Sequence, residues 1–194
     1  MTDADLAADL AKAAGRILLE VRDSGLLDGA ALGKTGDLTA NQFLVRALRH
    51  HRPEDGLLSE ESRDTEERLH KSRVWIIDPV DGTREYGEER SDWAVHVALA
   101  VDGVAALGAV ALPGLGGGLV LRSDKIGEIP HHDGPPRLVI SRTRPAAEAL
   151  SVAERLGGAL LPMGSAGRQW PSFGVRQKYI FIPAVNMNGT AVRP

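Results

Sequence analysis

The stretch Val74-Trp75-Ile76-Ile77-Asp78-Pro79-Val80-Asp81-Gly82-Thr83 constrains this chain more than any other, because an apolar run stops at two carboxylates flanking a proline and then meets a Gly-Thr turn. Its β-prone residues, two of them isoleucines, predict a buried strand. Neither Asp78 nor Asp81 tolerates burial at the end of such a strand without a positive partner, and a divalent cation supplies one. Pro79 fixes its own φ and keeps Asp78 extended, so carboxylates three residues apart can converge where the strand stops. Hard oxygen ligands point to magnesium. Taken alone, Asp-Pro-X-Asp-Gly also reads as an ordinary turn.

A second acidic element precedes it. Leu57-Leu58 gives way to Ser59-Glu60-Glu61-Ser62, and if this short strand lies beside the first, Glu60 or Glu61 opens on the same edge, where ligands of α/β sheets bind. Two metal ions sharing such carboxylates, roughly 3.5–4 Å apart, would clamp the attacking and leaving oxygens of a phosphoryl transfer. By itself Glu-Glu-Ser is solvated surface.

Composition narrows the function classes. With 43% hydrophobic residues, 25% charged residues and a net charge of −3, the chain reads as soluble and globular. It has no basic excess for a nucleic-acid polymer and no apolar run of membrane-spanning length. The absence of cysteine excludes disulfides, zinc-thiolate sites and a thiol nucleophile. The acidic, amphipathic N-terminus is unlike a signal peptide, and a cytoplasmic location is expected.

Leu6, Leu10, Ala13, Ile17, Leu18 and Val21 recur at helical spacing, with Thr2 placed to cap. A second helix is expected over residues 41–51. Strands follow at 57–58 and 74–78, then a hairpin of residues 93–101 and 104–112 joined by Asp102-Gly103, and a strand at 119–122. Gly114 to Gly118 reads as a turn, and His131-His132-Asp133 as part of a polar linker. Residues 137–141 and 145–156 then predict a strand and a helix closed by Gly157-Gly158.

Together, Ser59-Glu60-Glu61-Ser62 and Trp75-Ile76-Ile77-Asp78-Pro79-Val80-Asp81-Gly82-Thr83 resemble the inositol monophosphatase superfamily of magnesium-dependent, lithium-sensitive phosphomonoesterases. Asp81-Gly82-Thr83-Arg84-Glu85-Tyr86 is similar to the Asp-Gly-Thr-Lys/Arg-Glu-Phe of the CysQ branch, the 3′(2′),5′-bisphosphate nucleotidases, rather than to the Asp-Gly-Thr-Thr-Asn-Phe of inositol phosphatases. The resemblance implies an α/β fold, a layered α-β-α-β-α sandwich of the sugar-phosphatase type with an incomplete second domain. A metal-binding αβ domain would span residues 1–122 and the start of a C-terminal αβ domain residues 137–167.

Carried onto this chain, the resemblance makes Glu60, Asp78, the Val80 carbonyl and Asp81 the ligands of Mg2+, of which intact relatives hold two or three. It gives Asp37, Glu60 and Thr83 catalytic roles, Asp37 hydrogen-bonding Thr83 or the attacking water. Glu60, Val80, Asp81, Gly82 and Thr83 would surround the substrate phosphate, with Arg142 of Ser141-Arg142 contacting a phosphate or stacking on a base. By local sequence Asp37 is equally a helix cap or turn residue, and Asn41 stands where many members carry Asp. The implied reaction removes the 3′-phosphate of 3′-phosphoadenosine 5′-phosphate to give AMP. The implied partner is thus a small phosphate ester, with no nucleic-acid polymer or membrane; a homodimer stays open. Inositol monophosphate and fructose 1,6-bisphosphate are alternative substrates. A catalytically silent phosphate- or metal-binding protein and a non-functional product are the alternatives outside catalysis.

The resemblance stops near Gly167. Residues 168–194 read as an aberrant tail: Gln169-Trp170-Pro171 breaks any helix, and nothing matches the family's last metal-binding aspartate. Reading the last base of each codon with the first two of the next turns Trp170-Pro171 into Ala and Met187-Asn188 into Glu. Permitted synonymous codons then complete a helix, a strand and the Tyr-Glu-Trp-Asp of the CysQ branch. A frameshift, in the gene or its sequencing, is the expected origin.

Overall fold

The computed structural model describes residues 1–62, 66–115, 117–125, 135–141, 147–163 and 179–181. Those up to Lys125 form one compact unit and those from Pro135 onward a second. In the first, Thr2 caps α1 (Asp3–Asp23), its hydroxyl accepting the Asp5 amide hydrogen at 3.1 Å. Leu6, Leu10, Ala14 and Leu18 form the buried stripe. α2 (Gly29–His51) packs beside it and begins well before residue 41, where the second helix was expected. Leu32, Gly36, Ala40, Leu44 and Leu48 carry one buried stripe through the whole helix. Asp37 therefore sits mid-helix, with neither a cap nor a turn for it to make.

Both helices pack on a five-stranded sheet ordered β1 (Gly56–Ser59), β2 (Arg73–Asp81), β3 (Ala94–Val101), β4 (Val104–Leu112), β5 (Leu119–Arg122). β1 runs parallel to β2 and the remaining pairs are antiparallel. Alternation decides the buried face: Trp75, Ile77, Val97, Leu99, Ala109 and Ala111 join the helix stripes in one core. The indole N–H of Trp75 donates to Asp55 at 2.8 Å, which removes the cost of burying that dipole. Asp102 and Gly103 both adopt positive φ, 51° and 78°, as a two-residue hairpin turn demands. The first unit continues past Arg122, its expected end, because the Ser123 hydroxyl accepts the Gly108 amide hydrogen at 2.9 Å and Arg122 pairs with Asp124 at 2.7 Å.

In the second unit β6 (Arg137–Ser141) lies between β7 (Ala159–Met163) and β8 (Tyr179–Phe181), all parallel. Leu138, Val139 and Ile140 are buried, and α4 (Ala147–Leu156), whose Ala149 and Ala153 are buried, packs on β6 and β7. β8 falls within the segment expected to be foreign to the fold, yet its backbone extends this sheet. Residues 142–146, 164–178 and 182–194 lie outside the described residues. Among the described residues no helix is long and apolar enough to cross a membrane.

Candidate functional site

β2 and β3 pair in register from Arg73 opposite Val101 to Asp78 opposite His96; β2 then gains one residue, and Asp81 stands opposite Ala94. Three residues apart on a regular strand, Asp78 and Asp81 would point to opposite faces. The bulged residue returns Asp81 to the face of Asp78. Pro79 sits in the bulge, where its missing amide hydrogen costs no ladder bond.

Thr83 opens α3 (Thr83–Gly87) directly after Gly82, which adopts φ 92°, a region that favours glycine. Close backbone approach seats α3 on α2. A Cβ on Gly33 would lie 3.0 Å from the Thr83 carbonyl oxygen, one on Gly36 would strike the Tyr86 ring, and one on Gly87 would strike the Gly29 carbonyl. Tyr86 anchors the turn by donating to the Leu18 carbonyl at 2.8 Å and packing edge-on against Trp93. In consequence Thr83 Oγ1 lies 2.8 Å from Asp37 Oδ2 and 3.0 Å from the Val80 carbonyl oxygen. One hydroxyl proton serves one acceptor at a time. Asp37 is only 7% exposed, and burial lifts its carboxyl to about 7 against the opposing pull of the Thr83 hydrogen bond, with the charges of Glu61 and Glu60 adding to the rise.

The end of β1 is tied down by a buried amide. Asn41 Oδ1 accepts from Ser59 at 2.7 Å and its Nδ2 donates to Ser62 at 3.0 Å, bracketing Glu60 and Glu61. The Glu61 amide also donates to Ser59 Oγ at 3.3 Å. Beside this turn, Asp78 has its carboxyl pushed up by burial first and then by the charges of Glu60, Asp81 and Asp37, and it shares a hydrogen bond with Glu60. Its Oδ1 is buried without a partner. An orphaned carboxylate oxygen within the field of three further acids fits a cation, and an all-oxygen donor set suits a hard divalent one. Among the described residues no three acidic or histidine side chains already stand as a closed metal cage; the acids share a field rather than a finished coordination geometry. A cavity of about 620 Å³ opens beside them, with Lys34, Asp37, Glu61, Thr83 and Arg84 among its lining residues.

Asp37, Glu60, Asp78, Val80, Asp81, Gly82 and Thr83 are thus carried to one region by α2, the end of β1, β2 and the start of α3. Arg142 lies outside the described residues, as does His131-His132-Asp133. Two further residues at the site carry no signal of their role in the local sequence motifs, Asn41 and His96. Asn41 departs from the family pattern yet ties the end of β1 to α2, and His96 Nε2 stands 3.1 Å from Asp81 Oδ2. For His96 the signal lies outside those motifs: it is the sole polar residue of the strand Ala94–Val101.

The sequence description of the inositol monophosphatase family matches residues 3–157. The chain belongs to that family. It is 45% identical over 181 residues to a Mycobacterium leprae protein named 3′-phosphoadenosine 5′-phosphate phosphatase, the match covering 86% of this chain and 66% of that protein. It is 30% identical over 173 residues to the 3′(2′),5′-bisphosphate nucleotidase CysQ of Escherichia coli K12, covering 79% and 69%. The chain spans 61–66% of the length of the mycobacterial relatives. Its fold matches crystalline CysQ from Bacteroides thetaiotaomicron with a TM-score of 0.72 at 20% identity, over 91% of this chain and 78% of that one. A Thermotoga maritima inositol monophosphatase shares the fold with a TM-score of 0.67, also at 20% identity, over 93% and 76%.

Proposed function

We propose that this inositol monophosphatase family chain carries the hydrolytic half-site of a Mg2+-dependent phosphomonoesterase acting on 3′-phosphoadenosine 5′-phosphate. The observation that carries the reading is the Thr83 hydroxyl held 2.8 Å from the buried Asp37, beside the partnerless Oδ1 of Asp78. The substrate assignment is supported by the mycobacterial and enterobacterial relatives and by Arg84-Glu85 after Asp81-Gly82-Thr83.

Glu60, Asp78, the Val80 carbonyl and Asp81 would hold the metal, which supplies charge neutralisation at the phosphoryl oxygens and a lowered pKa for the attacking water. The chain's own groups do the rest. Gly82 lets the backbone approach the phosphate closely, and the leading amides of α3, which lack partners within the helix turn, offer it donors. Thr83 orients the water. As the water oxygen bonds to phosphorus, its proton passes to Thr83 Oγ1 while that hydroxyl gives its own to Asp37 Oδ2. The bond from phosphorus to the 3′ oxygen breaks, its electron pair leaves with that oxygen, and a solvent proton completes the hydroxyl of AMP. A carboxyl titrating near neutrality suits this task, since it is a competent acceptor at working pH without being permanently protonated.

The test is phosphate release from 3′-phosphoadenosine 5′-phosphate with Mg2+ or with chelator, beside inositol 1-phosphate and fructose 1,6-bisphosphate. The expected result is Mg2+-dependent release of one phosphate, AMP as product, and the highest kcat/KM for the nucleotide. Release that persists in chelator, or a preference for inositol phosphate, contradicts the assignment.

A further inference from the structure

We infer that His96 is a positioning residue for Asp81: its imidazole N–H holds Oδ2 of that carboxylate and so fixes the orientation in which the carboxylate meets the metal. The inference rests on the proposed role of Asp81 as a ligand.

Two observations carry it. The register places His96 directly across from Asp78 on β3, so a side chain there stands over the two carboxylates that the bulge in β2 brings onto one face. Its Nε2 lies 3.1 Å from Asp81 Oδ2, with the imidazole 31% and the carboxylate 20% exposed. An ionised carboxylate only accepts, so Nε2 carries the hydrogen and the ring serves as a donor whether neutral or charged. No other position of β3 could do this: its remaining residues are alanine, valine and leucine.

The physical need is specific to this site. Asp81 lies in the field of Asp78, which Glu60 and Asp37 share. Before a cation arrives, repulsion favours rotating Asp81 away from its neighbours, and that rotation must be undone on binding. A hydrogen bond to one oxygen restrains that rotation in advance, so less order has to be imposed on the carboxylate when the cation binds. Hydrogen-bond partners of ligating carboxylates contribute roughly 10-fold to 100-fold in metal affinity. A histidine that merely filled space beneath β3 would contribute none of it.

Mg2+ binding by the whole chain is measured by titration calorimetry, and Mn2+ binding by the loss of free-ion electron paramagnetic resonance signal, for wild type, Asp81→Asn, His96→Leu and His96→Gln. The proposal expects His96→Leu to weaken both ions by roughly 10-fold or more, with metal-free circular dichroism and melting unchanged. His96→Gln, which keeps an N–H donor, should recover most of the affinity. Wild-type affinity in His96→Leu, with Asp81→Asn still impaired, overturns the positioning role alone. Unchanged binding in Asp81→Asn, or no binding by wild type, overturns the ligand assignment and the inference with it. If His96→Leu melts early, His96→Gln and His96→Phe decide: equal weakening in both contradicts a donor role, and weakening confined to His96→Phe supports it.

Discussion

Asp37 and Thr83 carry the proposed chemistry at the residue scale, and the cost of holding them together is readable in the charge of the site. Asp37 is buried and its carboxyl raised to about 7, whereas an unfolded chain releases that proton near about 3.9. Between those values the folded state holds a proton that the unfolded state lacks. Stability therefore falls as pH climbs from about 4 to about 7, and Asp78, raised by burial and by Glu60, Asp81 and Asp37, acts in the same direction. Metal-free protein should melt at lower temperature at pH 8 than at pH 5.5, and Asp37→Asn should narrow the gap by stabilising the chain at pH 8. A flat melting profile across that range, or an Asp37→Asn variant less stable at pH 8, would contradict the placement of Asp37. The acidic end of β2 was legible in sequence, because an apolar run stops at Asp78 and Asp81; the burial of Asp37 was not, because its local sequence equally allows a helix cap or a turn. The role of His96 was not legible, since it depends on which residue of β3 faces Asp78, and nothing in either strand alone states that register.

At the scale of elements, the site is assembled by two devices that propensity hides. The bulge at Pro79-Val80 converts a three-residue spacing, wrong for a shared face, into a convergent pair; the sequence showed a proline between two acids, and only the pairing with β3 shows the extra residue. The glycines of α2 were the more misleading signal. Gly29, Gly33 and Gly36 lower helix propensity and hide the helix before residue 41, yet Gly33 and Gly36 are the positions where Thr83 and Tyr86 press on α2. Packing outweighs propensity here, and the absent side chains are what allow Thr83 to reach Asp37. Gly87→Ala tests this, because the new methyl would collide with the Gly29 carbonyl, a backbone atom that cannot swing aside. The expected loss is about 1–3 kcal/mol in chemical denaturation, together with a lower rate of phosphate release. Gly103→Asn, in a turn with open space around it, should cost far less. Equal losses at the two positions would mean that α3 is not seated as described.

For the whole molecule, the five-stranded sheet with α1 and α2 on one core carries the acids and the Thr83 turn, and the second unit adds a three-stranded parallel sheet. The first of these was readable from periodicity and the hairpin turn; the strand Tyr179–Phe181 was not, because its neighbours in sequence give no periodic pattern. Replacing residues 168–194 by the alternative reading would add Tyr-Glu-Trp-Asp, and with it a further carboxylate. That chain should bind Mg2+ more tightly and turn over faster than the present one, measured side by side; equal values would show that the alternative reading supplies nothing to the site. The most direct test of the central claim is kcat for 3′-phosphoadenosine 5′-phosphate at saturating Mg2+ in wild type and Asp37→Asn. The account predicts a fall of roughly 100-fold or more with the Mg2+ dependence unchanged. A variant within threefold of wild type would contradict a site in which Asp37 takes the proton through Thr83.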